Sequence, residues 1–181
     1  MRGKAGVTLK LVFQTNVGAS RQKNRSIIKS VCSKAGIDLD LKAVPAAMMH
    51  GGDVASPDTT GKFWSDMQMF GVAMNQPDPQ LFTEQSTSWQ VAQKAIRWAS
   101  RNRSRWWRPE VDELHKAAQV EPDPVKRAAL LIRMSDRVVA GGCVIPLVSP
   151  KAVKATANRL NASFSVWDAD TWAWVTWSRD A

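Results

Sequence analysis

The segment from Asp66 to Pro79 constrains the fold most, because it joins a strand pattern that is apolar on both sides to an abrupt polar end. Between Met67 and Met74, apolar residues occupy both alternating sets, which is typical of a strand in the middle of a covered sheet. The pattern stops at Asn75-Gln76-Pro77, since proline has no amide hydrogen to donate. Asp78-Pro79 then suits a helix N-cap followed by proline at the first helical position. We therefore predict a central buried strand that presents two amide side chains at the edge where open α/β sheets bind ligands.

A strand, a helix and a second strand precede this segment. Val7 to Phe13 and Ile37 to Ala43 both alternate apolar and polar residues, as half-buried strands do. Between them, from Ser20 onwards, apolar residues recur along one stripe of a helix, and Gly36 suits the position just after the helix end. This order predicts a βαβ unit, in which the two strands are parallel.

Two helices are predicted in the second half of the chain, the second of them with an N-cap. Pro109-Glu110 begins the first, and Asp123-Pro124 provides the N-cap and first-turn proline of the next, which ends at Gly141-Gly142. Cys143 to Val148 has a strand pattern, and Pro146 within it favours an edge position. Helices and strands therefore alternate, and the chain is predicted to be an α/β protein.

The amino-acid composition is typical of a globular protein. Its excess of basic residues means that an anionic partner must be considered. The 181 residues carry a formal net charge of +9. No apolar run approaches the roughly 18 residues that a membrane-spanning helix needs. The basic residues at the start lead into the alternating pattern from Val7, so no signal peptide is predicted there.

The residues needed for catalysis or metal binding are sparse. The two histidines, His50 in a polar loop and His115 on a helix, are both expected to be solvated surface residues. Cys32 and Cys143 lie in apolar surroundings without metal-ligand spacing, so we expect buried free thiols. Gly61-Lys62 lacks the other residues of a phosphate-binding loop. We predict no catalytic residues, no metal site and no cofactor, and hence a protein that is not an enzyme.

The segment from Lys94 to Arg108 is basic and aromatic, with six Lys or Arg residues and no acid. It allows three interpretations. Residues Arg101 to Arg108 could form a nucleic-acid-binding surface that contacts phosphates and stacks bases. They could instead form a solvated loop that its tryptophans anchor to the core. In the third interpretation the segment is a ligand-binding wall, with Asn102 and Arg105 as donors. Val91 to Trp98 is predicted to form a short helix.

The order and spacing of several short motifs resemble a known family. The motifs are Val7 to Thr15, Ala35-Gly36-Ile37, Phe63 to Met69, Pro77-Asp78-Pro79, Asn102 to Trp106, Pro109 to Leu114, Asp123 to Leu130 and Val144 to Val148. Together they resemble the C-terminal portion of a bacterial solute-binding protein of the peptide/nickel type (family 5), which serves ABC importers. The resemblance extends from Val7 to Trp177.

This resemblance implies capture of a solute without chemistry. Proteins of this family have two α/β lobes that close over an oligopeptide or similar solute before docking on ABC permease subunits. Residues 1–155 would be the second, C-terminal lobe, with a truncated periplasmic-binding-protein-like (type II) fold whose mixed sheet is flanked by helices. Residues 156–181 would be a tail that returns to the missing N-terminal lobe. The family implies a periplasmic location, or an extracellular membrane-associated one, without insertion into the membrane.

The resemblance also implies where the solute binds. Peptide binders of this family often have an acidic residue, which pairs with the free amino group of the peptide, at the position of Asn75. An amide lacks that charge and forms weaker hydrogen bonds, so recognition of a free amine is in question. Further candidates for the cleft wall are Phe70, Gln76, Asn102, Arg105 and Trp106, and for each of them packing within a loop is an equal alternative. Half a cleft is expected to bind peptides weakly, and nucleic-acid binding by Arg101 to Arg108 is the rival hypothesis.

The tail has an unusual concentration of tryptophan. Four of the nine tryptophans, at positions 167, 172, 174 and 177, lie in the last fifteen residues. In the family they would pack against the missing lobe, so an exposed aromatic patch is predicted here.

Overall fold

A computed structural model describes residues 3–4, 6–53, 55–74, 76–149, 151, 153–165 and 173–180. The chain divides into two compact units, one of residues 1–72 and 84–109 and the other of residues 73–83 and 110–181. Among the described residues, no helix is both long enough and apolar enough to cross a membrane.

The first unit is built on a three-stranded parallel sheet. Its elements are β1 (Gly3–Lys4), β2 (Val7–Thr8), β3 (Lys10–Asn16), α1 (Ala19–Lys34), β4 (Asp38–Val44), α2 (Ala46–Met49) and β5 (Met67–Met69). The strand order is β4-β3-β5, and both neighbours of β3 run parallel to it. The predicted βαβ unit is therefore confirmed. Its first strand starts at Lys10 instead of Val7, because Val7–Thr8 pairs with Gly3–Lys4 in a separate antiparallel hairpin.

Helix α1 packs one stripe of its surface against the sheet. Ile28 and the free thiol Cys32 contact the core that Phe13, Leu39 and Met69 form. Ile27 and Val31, from the same predicted stripe, are more than half exposed. The helix ends as predicted, with Gly36 in the left-handed region at φ 79°.

The opposite face of the sheet is polar, although its central residue is buried. Gln14 of β3 is only 2% exposed. Its side-chain amide donates to the carbonyl oxygen of Asp58 at 3.1 Å and accepts from the Gln68 amide at 2.8 Å and the Ser65 hydroxyl at 3.3 Å. The loop that contains Asp58 and Ser65 therefore covers the centre of this face through hydrogen bonds.

These contacts correct the prediction of a central strand at 66–74. Strand β5 pairs only with β3 among the described residues, and β3 is the central strand. Beyond Met69 the apolar pattern is not covered, since Val72 is 52% exposed. Apolar residues at both sets of alternating positions show only that each face of the strand is apolar. A face is buried only where another element packs against it. One face of β5 meets α1, and the other carries Gln68 into the polar network.

The second unit contains two capped helices. Its elements are α3 (Gln80–Thr83), α4 (Pro109–Val120), α5 (Pro124–Ala140), β6 (Leu160–Asn161) and β7 (Ser178–Arg179), and β6 and β7 pair antiparallel. The predicted caps are confirmed. The carboxylate of Asp123 accepts from the amides of Val125 and Lys126 at 2.8 and 3.2 Å, and that of Asp78 accepts from the amide of Gln80 at 2.9 Å. Helix α5 ends at Ala140, followed by the predicted glycine pair.

Helix α4 corrects the prediction of a surface histidine. His115 is 5% exposed, and its Nε2 atom lies 3.3 Å from the carbonyl oxygen of Gln80. Val111, Leu114 and Ala118 are also buried. Together with His115 these positions follow the i, i+3, i+4, i+7 spacing of one helix face, so His115 belongs to the buried face despite its polar neighbours in sequence.

The segment Cys143 to Val148 does not form the predicted strand. Its apolar side chains are exposed, from 49% for Val144 to 73% for Val148. A strand needs a neighbouring backbone, and the described strands of this unit, β6 and β7, pair with each other.

The terminal aromatic residues are partly described. Trp174 is 68% exposed, in line with the predicted patch, whereas Trp177 packs edge-on against Phe164 with ring centroids 5.5 Å apart. Trp167 and Trp172 lie outside the described residues.

Candidate functional site

The carboxyl edge of the parallel sheet is the candidate site of the first unit. From β3 the chain passes through α1 to β4 on one side, whereas β5 pairs with the other side of β3. The strand order therefore reverses between β3 and β5. In open α/β sheets, ligands bind outside the carboxyl ends of the strands at such a switch point.

Two guanidinium groups lie against the end of β5 at this point. The Nη1 atom of Arg21, from the first turn of α1, is 3.5 Å from the carbonyl oxygen of Met69. The guanidinium carbon of Arg103 lies 5.6 Å from the ring centroid of Phe70. Phe70, a predicted site residue, is thus partly buried at the sheet edge beneath an arginine. Such cation–π contacts hold a guanidinium in a fixed position.

His50 lies within the electrostatic influence of these arginines. It follows α2, which comes directly after β4, and it is exposed as predicted. Partial burial lowers the pKa of His50 below its ordinary value of 6.5, and the charges of Arg103 and Arg21 lower it further. Burial also lowers the pKa of Arg103. The edge of the sheet is therefore electropositive, and the imidazole is mainly neutral near pH 7.

The predicted site residue Asn102 uses its amide inside the loop. It is fully buried, and its Nδ2 atom donates to the carbonyl oxygens of Thr87 at 2.9 Å and Trp106 at 2.8 Å. Its backbone forms an isolated parallel bridge with Val91. Instead of the predicted helix over 91–98, a single 3-10 turn spans Lys94–Ile96. These contacts favour a structural role for Asn102.

Arg105 also points into the protein. Its guanidinium donates to the carbonyl oxygens of Lys62, Gly61 at 3.4 Å and Ala92 at 3.3 Å, and lies 5.2 Å from the ring centroid of Trp98. It therefore ties the loop after α2 to the basic segment. The Gly61-Lys62 pair therefore provides backbone acceptors for Arg105 and does not act as a phosphate-binding motif.

The remaining predicted site residues are dispersed. Trp106 is partly buried, and its indole Nε1 atom has no hydrogen-bond partner among the described residues. Gln76 belongs to the second unit, where its amide lies 3.4 Å from the carbonyl oxygen of Asp78. Asn75, the position that the family resemblance singled out, lies outside the described residues. Phe70, Asn102, Arg105 and Trp106 thus belong to the first unit, and Gln76 belongs to the second.

Three cations of the basic segment are engaged within the protein. Arg101 pairs with Glu84 at 3.5 Å, Arg103 packs on Phe70, and Arg105 is used by loop carbonyl groups. A nucleic-acid surface requires side chains aligned to follow a phosphate backbone. The nucleic-acid alternative is not supported.

Sequence reasoning missed the grouping of Arg21, His50 and Arg103. These residues are far apart in the sequence. Arg21 and Arg103 both contact the end of β5, and the charges of both act on His50. One local signal was available, since Arg21 is a basic residue in the first turn of a helix, where acids are favoured. Within the described part of the chain, no three His, Cys, Asp or Glu side chains come together as a metal site would require.

Solved structures similar to this chain include oligopeptide-binding proteins. The oligopeptide-binding protein AppA from Bacillus subtilis, in complex with a nonapeptide, matches with a TM-score of 0.68 and 14% identity over 99% of this chain and 33% of that chain. The oligopeptide binding protein from Thermus thermophilus, complexed with a pentapeptide, matches with a TM-score of 0.61 and 20% identity over 74% and 23% of the two chains. NikZ from Campylobacter jejuni, in complex with Ni(L-His), gives 0.54 and 17% over 71% and 24%.

The similarity to these proteins is seen in the comparison of structures and not in the comparisons of sequences. No protein-family model matches the chain, and a search of curated proteins gives no match. The chain spans about a quarter to a third of the length of the matched structures. It therefore has the periplasmic-binding-protein-like α/β fold of a segment of the family 5 peptide and nickel solute-binding proteins, as the sequence resemblance implied.

Proposed function

We propose that this chain contributes one side of a solute-binding cleft that serves uptake by an ABC transporter, with a peptide-like solute. The observation that carries the proposal is the fold, which is that of proteins solved with a nonapeptide, a pentapeptide and a nickel–histidine complex. In that setting the solute contacts the carboxyl edge of β3 and β5, and the partners are ABC permease subunits and a lobe outside this chain. The corresponding location is the periplasm.

The geometry of the first unit supports this assignment. The sheet edge lies at a topological switch point, and an aromatic ring with two guanidinium groups borders it. Asn102 and Arg105 hold the adjacent loop in place through hydrogen bonds to backbone carbonyl groups. A fixed edge with a few polar groups is what a binding site for small solutes needs.

We expect weak binding by this chain alone. The matched structures are about three times as long as this chain, so a solute on this chain would keep one face in water. Closure of a second lobe, which excludes water and completes the contacts, would be missing. Affinities in the millimolar range, about −4 kcal/mol, are the expectation.

The test is an NMR titration of the isotopically labelled chain with tri-alanine, with glucose as a non-peptide control. We expect tri-alanine to shift the signals of Phe70 and of the residues that end β3 and β5, while glucose leaves them in place. Absence of any shift at about 10 mM peptide, several times the expected dissociation constant, would refute the proposal. An oligonucleotide that binds with a steep dependence on salt would revive the nucleic-acid hypothesis.

A further inference from the structure

We infer that helix α5 of the second unit is a self-association surface, through which two copies of this chain form a weak antiparallel dimer with its two-fold axis at Ile132. The partner is therefore a second copy of the chain, and the inference does not depend on any solute. The helix runs from Pro124 to Ala140, a length of about 25 Å.

Helix α5 has two apolar faces. Leu131 and Met134 form the first, which is buried within the second unit. Val125, Ile132 and Val139 form the second, and each of them is more than half exposed. A surface helix ordinarily has one apolar stripe, with polar residues on the opposite side. The packing of α5 in its own unit therefore does not account for the second face, which we call the exposed stripe.

The exposed stripe is symmetric about its central residue. Val125 and Val139 are each seven residues from Ile132, and because seven residues make almost two turns, the three side chains lie close to one line along the helix. Ala128 and Ala129 beside this line are exposed and small, which lets a second helix approach closely. A two-fold axis at Ile132 places Ile132 against Ile132, and Val125 against Val139 of the second copy. The stripe is thus self-complementary, as an isologous interface requires.

The charges beside the stripe favour the antiparallel arrangement. In this register Asp136 of each copy lies opposite Ala128 of the other, on the flank that contains Lys126. Among the described residues neither of these charged side chains has an ion-pair partner within 4.0 Å, whereas Arg137 of the same helix pairs with Glu110. The two-fold axis forms the Asp136–Lys126 pair twice. A parallel arrangement in register would instead place Asp136 against Asp136.

The dimer is expected to be weak. Two helices of this length bury less than the roughly 800 Å² per partner of a standard interface. The net charge of +9 and the approach of the two Arg133 side chains on one flank also oppose association. We therefore expect a dissociation constant of about 0.1 mM, with monomer prevailing at about 10 µM chain and dimer at about 1 mM.

Sedimentation velocity over this concentration range measures the association. Ile132→Lys puts two like charges at the two-fold axis, so we expect the dissociation constant to rise at least about tenfold. Val120→Lys makes the same change at an exposed position outside the stripe and should leave the dissociation constant within about twofold of the parent value.

Charge reversal tests the partner and the register together. Lys126→Asp and Asp136→Lys should each weaken the dimer, because each places like charges opposite one another. The double variant exchanges the two charges and should restore most of the parent affinity. Both changes suit their positions in the helix, since Lys126 is near its N-terminus and Asp136 is near its C-terminus.

Cross-linking gives a second readout of the register. At about 1 mM chain under mild oxidation, Ile132→Cys should form a disulfide with itself. Val139→Cys should not, because its two copies would lie about 21 Å apart, but it should link to Val125→Cys when the two variants are mixed. The parent chain, with its half-buried Cys32 and Cys143, gives the background.

The outcomes decide the inference without reference to peptide capture, which none of these measurements involves. Loss of the dimer in Ile132→Lys, recovery in the double variant and the expected cross-links would support it. A monomer at every concentration would overturn it and leave the exposed stripe to the lobe outside this chain. Association that persists in Ile132→Lys, or a double variant as weak as the single ones, would overturn it in favour of another surface or register.

Discussion

The hydroxyl group of Thr15 donates a hydrogen bond to the carbonyl oxygen of Met69, 2.8 Å away, at the last register pair of β3 and β5. Thr15 is fully buried, and the same carbonyl oxygen is the one that Arg21 approaches. One side chain therefore fixes the junction of the two strands at the switch point. Because Phe70 follows Met69 directly, this bond also fixes the start of the candidate site.

Thr15→Val tests this junction, since valine keeps the shape of threonine without its hydroxyl group. We expect a loss of about 1–2 kcal/mol in the free energy of unfolding, because a buried carbonyl oxygen loses its best partner. Urea denaturation followed by tryptophan fluorescence measures this loss. Thr8→Val is the control on the exposed strand β2, where the change should stay within about 0.5 kcal/mol. Equal unfolding midpoints for the two variants would contradict the assigned role of Thr15.

Gly61 is required by a close backbone approach. A Cβ atom at this position would lie 2.7 Å from the carbonyl oxygen of Trp98, so Gly61→Ala must displace the loop that Arg105 ties down. We expect a destabilisation of about 1–3 kcal/mol. At Gly52 nothing lies within 4 Å of an added Cβ atom, and Gly52→Ala should be neutral or slightly stabilising. Thermal unfolding of the two variants compares their stabilities. A Gly61→Ala variant as stable as Gly52→Ala would contradict the close approach of Gly61 to Trp98.

Asn102→Asp tests whether the amide of Asn102 holds the loop together. The carboxylate has the same shape but donates no hydrogen bonds, so it would face the carbonyl oxygens of Thr87 and Trp106 in a buried position. We expect a loss of about 3 kcal/mol or more in the free energy of unfolding. Gln93→Glu makes the same chemical change at an exposed position nearby and should have little effect. If Asn102→Asp unfolds like the parent chain, the buried hydrogen bonds are not what stabilises this loop.

Much of the fold followed from local patterns in the sequence. The βαβ unit, the glycine at the end of α1 and the caps at Asp78 and Asp123 depend on residues close together in the chain, and all are confirmed. Position in the sheet was harder to predict. The strand at 67–69 looked central because its residues are apolar, but sheet order depends on which distant strand pairs with it.

The site was less predictable for the same reason. Arg105 and Asn102 looked like donors for a ligand because they are polar residues between aromatic ones, yet backbone carbonyl groups of neighbouring loops accept their hydrogen bonds. Arg103 was considered only as part of the basic segment and Arg21 was not considered, because tertiary structure alone brings them to one strand end. The residue types in a segment show which side chains could bind a ligand. They do not show which of those side chains already form hydrogen bonds within the protein.

Asp78 should give the second unit an acid-sensitive stability. The hydrogen bond from Arg127 holds the pKa of Asp78 below its ordinary value of 3.8, and the backbone amide of Gln80 lowers it further. Because the folded state favours the carboxylate, this stabilisation is present above pH 3.8 and is lost as the pH falls through the lowered pKa. The side chain is 48% exposed, so solvent screening limits the effect to less than about 1 kcal/mol.

Asp78→Asn measures that contribution. The asparagine oxygen can still cap α3, but it does not titrate, so stability between about pH 5 and pH 3 should depend less on pH than in the parent chain. Urea unfolding at several pH values gives the comparison. Asp136→Asn, on the exposed side of α5, is the control and should preserve the parent slope. Identical slopes for the parent chain and Asp78→Asn would exclude the proposed linkage.

His50 should report the electropositive edge directly. Partial burial, then the charges of Arg103 and Arg21, lower its pKa below 6.5, so Arg103→Gln should raise that pKa. Stability linked to His50 is present above pH 6.5 and is lost as the pH falls through the lowered pKa. The pH dependence of the imidazole Cε1–H signal measures these shifts. Arg108→Gln is the control, and an unaltered pKa in Arg103→Gln would show that Arg103 does not act on His50.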